Sequence, residues 1–166
     1  MSVLLRRPAP EERPRWDRIL TFSRDVWGGA TRGLFFLNAS SGQMPMSFVQ
    51  ALLAMEYMPI PLSSHSGEKV VDVGIQRTLR AIAERGGDVL LASHDGDFVP
   101  EVRDLLAIGR QVGVICFREF LNTRLAELTG DGLKIYDLEE DIGAFNAPLP
   151  RVRIIPLESF DPVRYL

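Results

Sequence analysis

Hydrophobic positions along the chain follow two rhythms, short solid runs and stripes at helical spacing. Gly33-Leu34-Phe35-Phe36-Leu37 is a solid run, which predicts a strand buried on both faces. Val89-Leu90-Leu91-Ala92, Val112-Gly113-Val114-Ile115-Cys116-Phe117 and Leu133-Lys134-Ile135-Tyr136 predict three more strands. Stripes lie between them. Trp16, Ile19, Leu20, Ser23 and Val26-Trp27 predict a surface helix stopped at Gly28-Gly29. A second helix is expected from about Met46 to Tyr57. Between Glu68 and Arg85, Val71, Ile75, Leu79 and Ile82 form one stripe, closed by Gly86-Gly87. A helix from about Val99 to Ile108 is capped by Gly109, and a short one opens at the N-cap Asn122, with Gly130 beyond its end. Met58-Pro59-Ile60-Pro61-Leu62 can only be a short or edge strand, because each proline lacks a ladder donor.

Solid strands alternating with helices over short connections predict an α/β fold, a parallel sheet with helices on both faces. The rhythm stops after Ala144, where Pro148, Pro150, Pro156 and Pro162 preclude a regular helix and Val152–Ile155 is a candidate strand. The chain therefore reads as a domain over residues 1–144 and a tail over 145–166. An apolar, proline-broken tail wraps the body or a second subunit, which points to a homodimer.

Composition narrows the function classes. The 166 residues are 46% hydrophobic and 25% charged, the profile of one globular domain. No apolar run approaches the ~20 residues that cross a bilayer, and Met1–Leu5 is too short for a secretory segment, so the expected location is cytoplasmic. The single cysteine, Cys116, sits in an apolar run and is expected to pack as a small hydrophobe without a catalytic role. A net charge of −3 argues against a general electrostatic grip on nucleic acid. The acidic run Asp137, Glu139, Glu140 and Asp141 reads as solvated surface.

Candidate chemistry gathers at the strand ends. In an open parallel sheet, ligands bind outside the carboxyl ends of the strands. Asn38 and Ser40 leave one strand, Ser63 and His65 the next, Ser93, His94, Asp95 and Asp97 a third, and Arg118 and Asn122 a fourth. Lys69 and Asp72 stand at the head of the long helix, where the dipole favours an anion. Each has a structural explanation: Asp97 as a cap of the helix at Val99, Asp95-Gly96 as a turn, and His65 and His94 as loop hydrogen-bonders. Three carboxylates and a lysine at one sheet edge exceed what caps and turns require.

This order of residues resembles the NYN family, the LabA-like branch of the PIN-like nuclease superfamily. Glu68-Lys69-Val70-Val71-Asp72-Val73 is similar to that family's Lys-Gly-x-Asp segment, with Val70 where glycine is usual. Ser93-His94-Asp95-Gly96-Asp97-Phe98-Val99-Pro100 is similar to its Ser-Gly-Asp-Ser-Asp-Phe-x-Pro, with His94 and Gly96 as departures. Arg118 through Arg124, carrying Asn122 and Thr123, occupies the third motif's place. The likeness covers about residues 32–138. The family's opening strand, ending in Asp-x-x-Asn, has no counterpart in Met1–Pro10, so the chain enters the pattern one strand late. Three accounts compete: a start further upstream, another segment such as Val152–Ile155 in the gap, or a vestigial strand at Ser2–Leu5.

The resemblance implies a PIN-like (Rossmann-like) fold and a ribonuclease-type domain. Asp72, Asp95 and Asp97 would hold Mg²⁺ or Mn²⁺ and act as the catalytic carboxylates. Lys69, Arg118, Asn122, Thr123, Ser93 and Asn38 would contact substrate, expected to be single-stranded RNA. The alternative is a module that keeps the fold and binds RNA or a protein partner without cleaving. A phosphatase or receiver-like domain is a third reading, disfavoured by the lack of an Asp-rich first strand.

Overall fold

Helix α1, Trp16–Trp27, presents apolar side chains in two directions, and this places it across the middle of the molecule. Leu20 packs with Leu52, Tyr57 and Phe35, while Ile19 packs with Ile115, Leu138 and Ala144. The computed structural model describes residues 13–28, 30–67, 69–152 and 154–166. The expected strand at Ser2–Leu5 lies outside them.

The remaining elements are β1 (Gly33–Asn38), α2 (Met46–Ala54), β2 (Tyr57–Leu62), α3 (Val70–Arg85), β3 (Val89–Ala92), α4 (Val99–Ala107), β4 (Val112–Cys116), α5 (Thr123–Glu127) and β5 (Lys134–Asp137). All strand pairings are parallel: β1 with β2, and β3–β4–β5 in that order. Phe35 meets Trp16 and Phe48, and Ile115 meets Ile19, so α1 and α2 cover one face. Val112, Val114 and Cys116 share a core with Leu79, Val102 and Leu105, so α3 and α4 cover the other. The expected α/β architecture with parallel strands and helices on both faces is therefore present.

The strands form two sheets, not one. Among the described residues β1 pairs only with β2, and β3 only with β4. Helix α1 bridges both sheets on one face, and α3 does so on the other, with Gly74 against Phe36 and Leu62 and Leu79 in the β3–β4 core. The expectation that the run Gly33–Leu37 is buried on both faces is corrected here: Leu34 is 39% exposed and no residue of β1 is fully buried. A strand with one neighbour and a half-covered face cannot exclude water, however apolar it is. Strand β4, flanked on both sides, is buried at all five positions.

Other boundaries follow local chemistry. Helix α2 ends at Ala54, short of Tyr57, because Glu56 takes a positive φ of 68° and the chain turns into β2. The proline-bearing β2 is an outer strand, as its missing donors require. Of the candidate strand at Val152–Ile155, the described residues 152, 154 and 155 belong to no strand and are exposed. No helix among the described residues is long and apolar enough to cross a membrane.

Candidate metal centre

Asp72, Asp95 and Asp97 come together at the carboxyl end of β3. One oxygen from each lies within 4.8 Å of the others. Asp72 stands on the first turn of α3, whose N-cap residue is Lys69. Its carboxyl is pushed above the usual range, first by burial and then by the charge of Asp95, with Lys69 pulling the other way. The Lys69 ammonium lies 3.5 Å from Asp97 and 4.0 Å from Asp72.

The turn from β3 into α4 explains why two aspartates stand two residues apart. Asp95 Oδ1 accepts the Asp97 N–H at 2.9 Å, closing a turn that opens the 3-10 segment Gly96–Phe98. Asp95 is therefore the capping residue, and the expectation that Asp97 caps α4 is not met. The N-cap of α4 is Phe98, and the Asp97 carboxylate is left half-exposed beside Lys69. Its backbone carbonyl accepts from the Gln76 amide at 3.1 Å.

Neighbouring loops hold this turn. Ser93 Oγ accepts the Asp95 N–H at 3.0 Å, and the Asn122 N–H donates to the His94 carbonyl at 3.2 Å. The Asn122 amide stands over Gly96, where an added Cβ would lie 2.6 Å from its Nδ2, so the loop admits only glycine there. Asn122 also caps α5 through the Arg124 N–H, as expected, which leaves the exposed Thr123 next to the turn. His94 Nε2 accepts the Phe117 N–H at 2.7 Å, so the ring is neutral, and burial lowers its pKa. His94 is a loop hydrogen-bonder, as expected.

Two expected contact residues are engaged by other partners. The Arg118 guanidinium is engaged by Asp141 at 2.8 Å, Glu140 at 3.4 Å and the Ile135 carbonyl at 3.2 Å. Asn38 accepts the Ser40 N–H in the turn after β1, a turn tied to β2 by the Ser64 N–H on Ser40 Oγ. Cys116 is fully buried, and burial pushes its thiol up to about 11.

Within the acidic run, the expectation of solvated surface holds for the exposed Glu140 and Asp141 but is corrected for Asp137. Asp137 is fully buried and accepts N–H bonds from Arg118, Glu139 and Glu140. Arg151 crosses from the tail to fork onto it, at 2.8 and 2.6 Å, and also binds Glu119 and Glu139. No periodicity marks Arg151. Gln76 carries the simplest signal, four residues after Asp72 on one helix face.

An all-oxygen set of three carboxylates open to solvent on one side suits a hard divalent cation that keeps several waters. No family model matches this chain, and no significant match exists among curated proteins or solved structures.

Proposed function

We propose that the chain is a metal-dependent ribonuclease-type domain of the PIN-like, NYN kind, hydrolysing RNA phosphodiesters. The observation that carries this reading is the meeting of Asp72, Asp95 and Asp97 oxygens within 4.8 Å of one another, with Lys69 alongside. Asp95 has a turn to close and Asp72 a helix dipole to complement, but nothing in the local backbone requires the Asp97 carboxylate.

Asp72, Asp95 and Asp97 would hold Mg²⁺ or Mn²⁺ through carboxylate oxygens. The ion supplies Lewis acidity that makes hydroxide accessible near neutral pH and offsets charge on the scissile phosphate. Without a cation, Lys69 partly neutralises Asp72 and Asp97. With substrate present, its three-quarters exposed side chain can turn the ammonium to a phosphate oxygen. Asn122 and Thr123, beside the turn, orient a water or a phosphate oxygen. Ser93 and Gln76 hold the turn in place. Arg118 belongs to this reading only if it leaves Asp141, and Asn38 only if RNA extends across the end of β1.

A module that binds RNA or a protein without cleaving is the second reading. It is favoured by a cluster that holds three carboxylates among the described residues, where the NYN pattern has four. Cleavage of end-labelled single-stranded RNA with Mn²⁺ separates the two. The nuclease reading expects cleavage that EDTA abolishes and that Asp97→Asn lowers about 100-fold, since small displacements at a reacting centre cost that much. Equal activity in the two proteins removes Asp97 from the machinery, and RNA bound but never cut supports the second reading.

A further inference from the structure

Among the described residues, one sealed side-chain oxygen has no hydrogen-bond partner, Glu101 Oε2. The residue is 5% exposed and stands on the first turn of α4. Arg80 of α3 donates to Oε1 at 2.8 Å, and the helix dipole favours an anion at this place, so one oxygen is accounted for. The other is not. Buried carboxylates ordinarily satisfy both oxygens, and a bare acceptor costs stability that a donor would restore.

Glu101 also lines a cleft of about 250 Å³ between α3 and α4. Leu79 and Ala83, on one face of α3, supply its apolar wall, and Arg80, Glu84 and Asp104 its polar rim. Glu84 and Asp104 are exposed, and neither pairs with a cation among the described residues. Three carboxylates against one guanidinium leave the cleft with two negative charges in excess. A metal ion is a poor match, because among the described residues only Asp72, Asp95 and Asp97 bring ligand atoms close enough together to share one. Carboxylates spread along a cleft suit a cation whose charges are spread as well. The apolar wall adds an aliphatic stem to that description, and a volume below the drug-sized range limits the stem to a short one.

We propose that the α3–α4 cleft binds a short alkyl diamine, with one ammonium donating to Glu101 Oε2, the methylenes on Leu79 and Ala83, and the second ammonium at the Glu84 and Asp104 rim. Oε2 is closed to solvent, so the ligand enters as Arg80 swings aside. That side chain is 63% exposed, and Glu101 is its one polar partner among the described residues. The ligand thus exchanges with a resident cation and supplies the donor that Arg80 does not. The site is distinct from the aspartate cluster, since Glu84 stands about 18 Å beyond Asp72 along α3 at the usual helical rise. The inference is independent of the metal centre.

Titration of the isotope-labelled full chain with putrescine, a four-carbon diamine, in EDTA at constant ionic strength and followed by amide NMR, tests it. Saturable shifts are expected at the amides of residues 79–84 and 101–104. Butylamine, with the same stem and one charge, binds at least about tenfold more weakly, the scale of one charge-assisted hydrogen bond. Glu101→Gln keeps an acceptor for Arg80 but turns an N–H towards the ligand, and it weakens putrescine binding by at least about tenfold. Glu84→Gln and Asp104→Asn, at exposed positions, weaken it about threefold each, whereas Arg80→Gln, which removes the competing cation, strengthens it by about the same factor. These opposite signs keep the test decisive even where Glu101→Gln unfolds. No saturation by about 10 mM putrescine, tenfold above a millimolar Kd, overturns the proposal. So does binding that butylamine matches or that the Glu101 and rim variants leave intact. Shifts confined to the amides around Asp72, Asp95 and Asp97 also overturn it, since the diamine then sits among those carboxylates.

Discussion

Replacing Arg151 by methionine removes the only cation paired with Asp137 among the described residues while keeping the length and most of the volume of the side chain. The Arg151 side chain is 7% exposed, and that of Asp137 is fully buried. Arg151 forks onto both Asp137 oxygens and onto both Glu119 oxygens, reaches Glu139 at 3.1 Å, and stacks its guanidinium 4.8 Å from the Phe117 ring centre. Breaking a buried pair by deleting one partner costs about 3–5 kcal/mol, because the other charge is left in low dielectric. Three N–H donors still serve Asp137, from Arg118, Glu139 and Glu140, so the expected loss is at the lower end, about 3 kcal/mol. For a chain of this length that is a drop of about 6–12 °C in the thermal midpoint.

Urea and thermal melts of wild type, Arg151→Met, Asp137→Asn and the double variant provide the assay. In the double-mutant cycle the two substitutions couple by at least about 1 kcal/mol. The difference also depends on pH. Arg151 holds the Glu119 carboxyl below its usual range; burial alone would raise Asp137, but the bonds it accepts from Arg151 and from the Arg118 and Glu139 N–H groups together leave that group low as well. Carboxylates depressed in the folded state contribute stability that is present above the unfolded carboxylate range and fades as pH falls through the folded values. The gap between wild type and Arg151→Met therefore closes on acidification below about pH 4. A loss under about 1 kcal/mol at pH 7, or additivity in the cycle, would refute the view that this pair anchors the tail.

Other perturbations probe the loops around the aspartates. In EDTA, Asp97→Asn is at least as stable as wild type because it relieves repulsion on Asp72; in Mn²⁺ at ten times its Kd the wild type gains about 1.4 kcal/mol and the order reverses. A midpoint unmoved by Mn²⁺ at 10 mM (about tenfold above a millimolar Kd) would contradict the metal assignment. Gly96→Ala drives a Cβ into the Asn122 amide and loses about 1–3 kcal/mol by denaturant melt, less when combined with Asn122→Ala. His94 has a folded pKa below its unfolded value, so its contribution is complete above the unfolded pKa and is lost as pH falls through the folded one. Between pH 7 and 5, roughly spanning that window, wild type loses more stability than His94→Gln, which keeps an acceptor for the Phe117 N–H. Cys116 reacts with a thiol reagent only on unfolding; rapid labelling of the native protein would show the β4 core to be open.

Local chemistry alone determined the elements of this protein. Helix stripes, glycine stops, the Asn122 cap and the proline-weakened edge strand are written in spacings of a few residues, and backbone geometry obeys such spacings wherever the element lies. The aspartates were legible for the same reason: each stands at a strand end or a helix start, and parallel strands deliver those ends to one side. Tertiary structure decided what apolarity cannot encode, namely who the neighbours are. Gly33–Leu37 and Val112–Cys116 are equally hydrophobic as text, yet only the second has strands on both sides and excludes water. Asp137 looks like its solvated neighbours until Arg151, 14 residues on, closes over it. Arg118 likewise was drawn from the strand-end site to Asp141. Burial and ion pairing depend on distance through space, and a linear pattern carries that information only for residues that share an element.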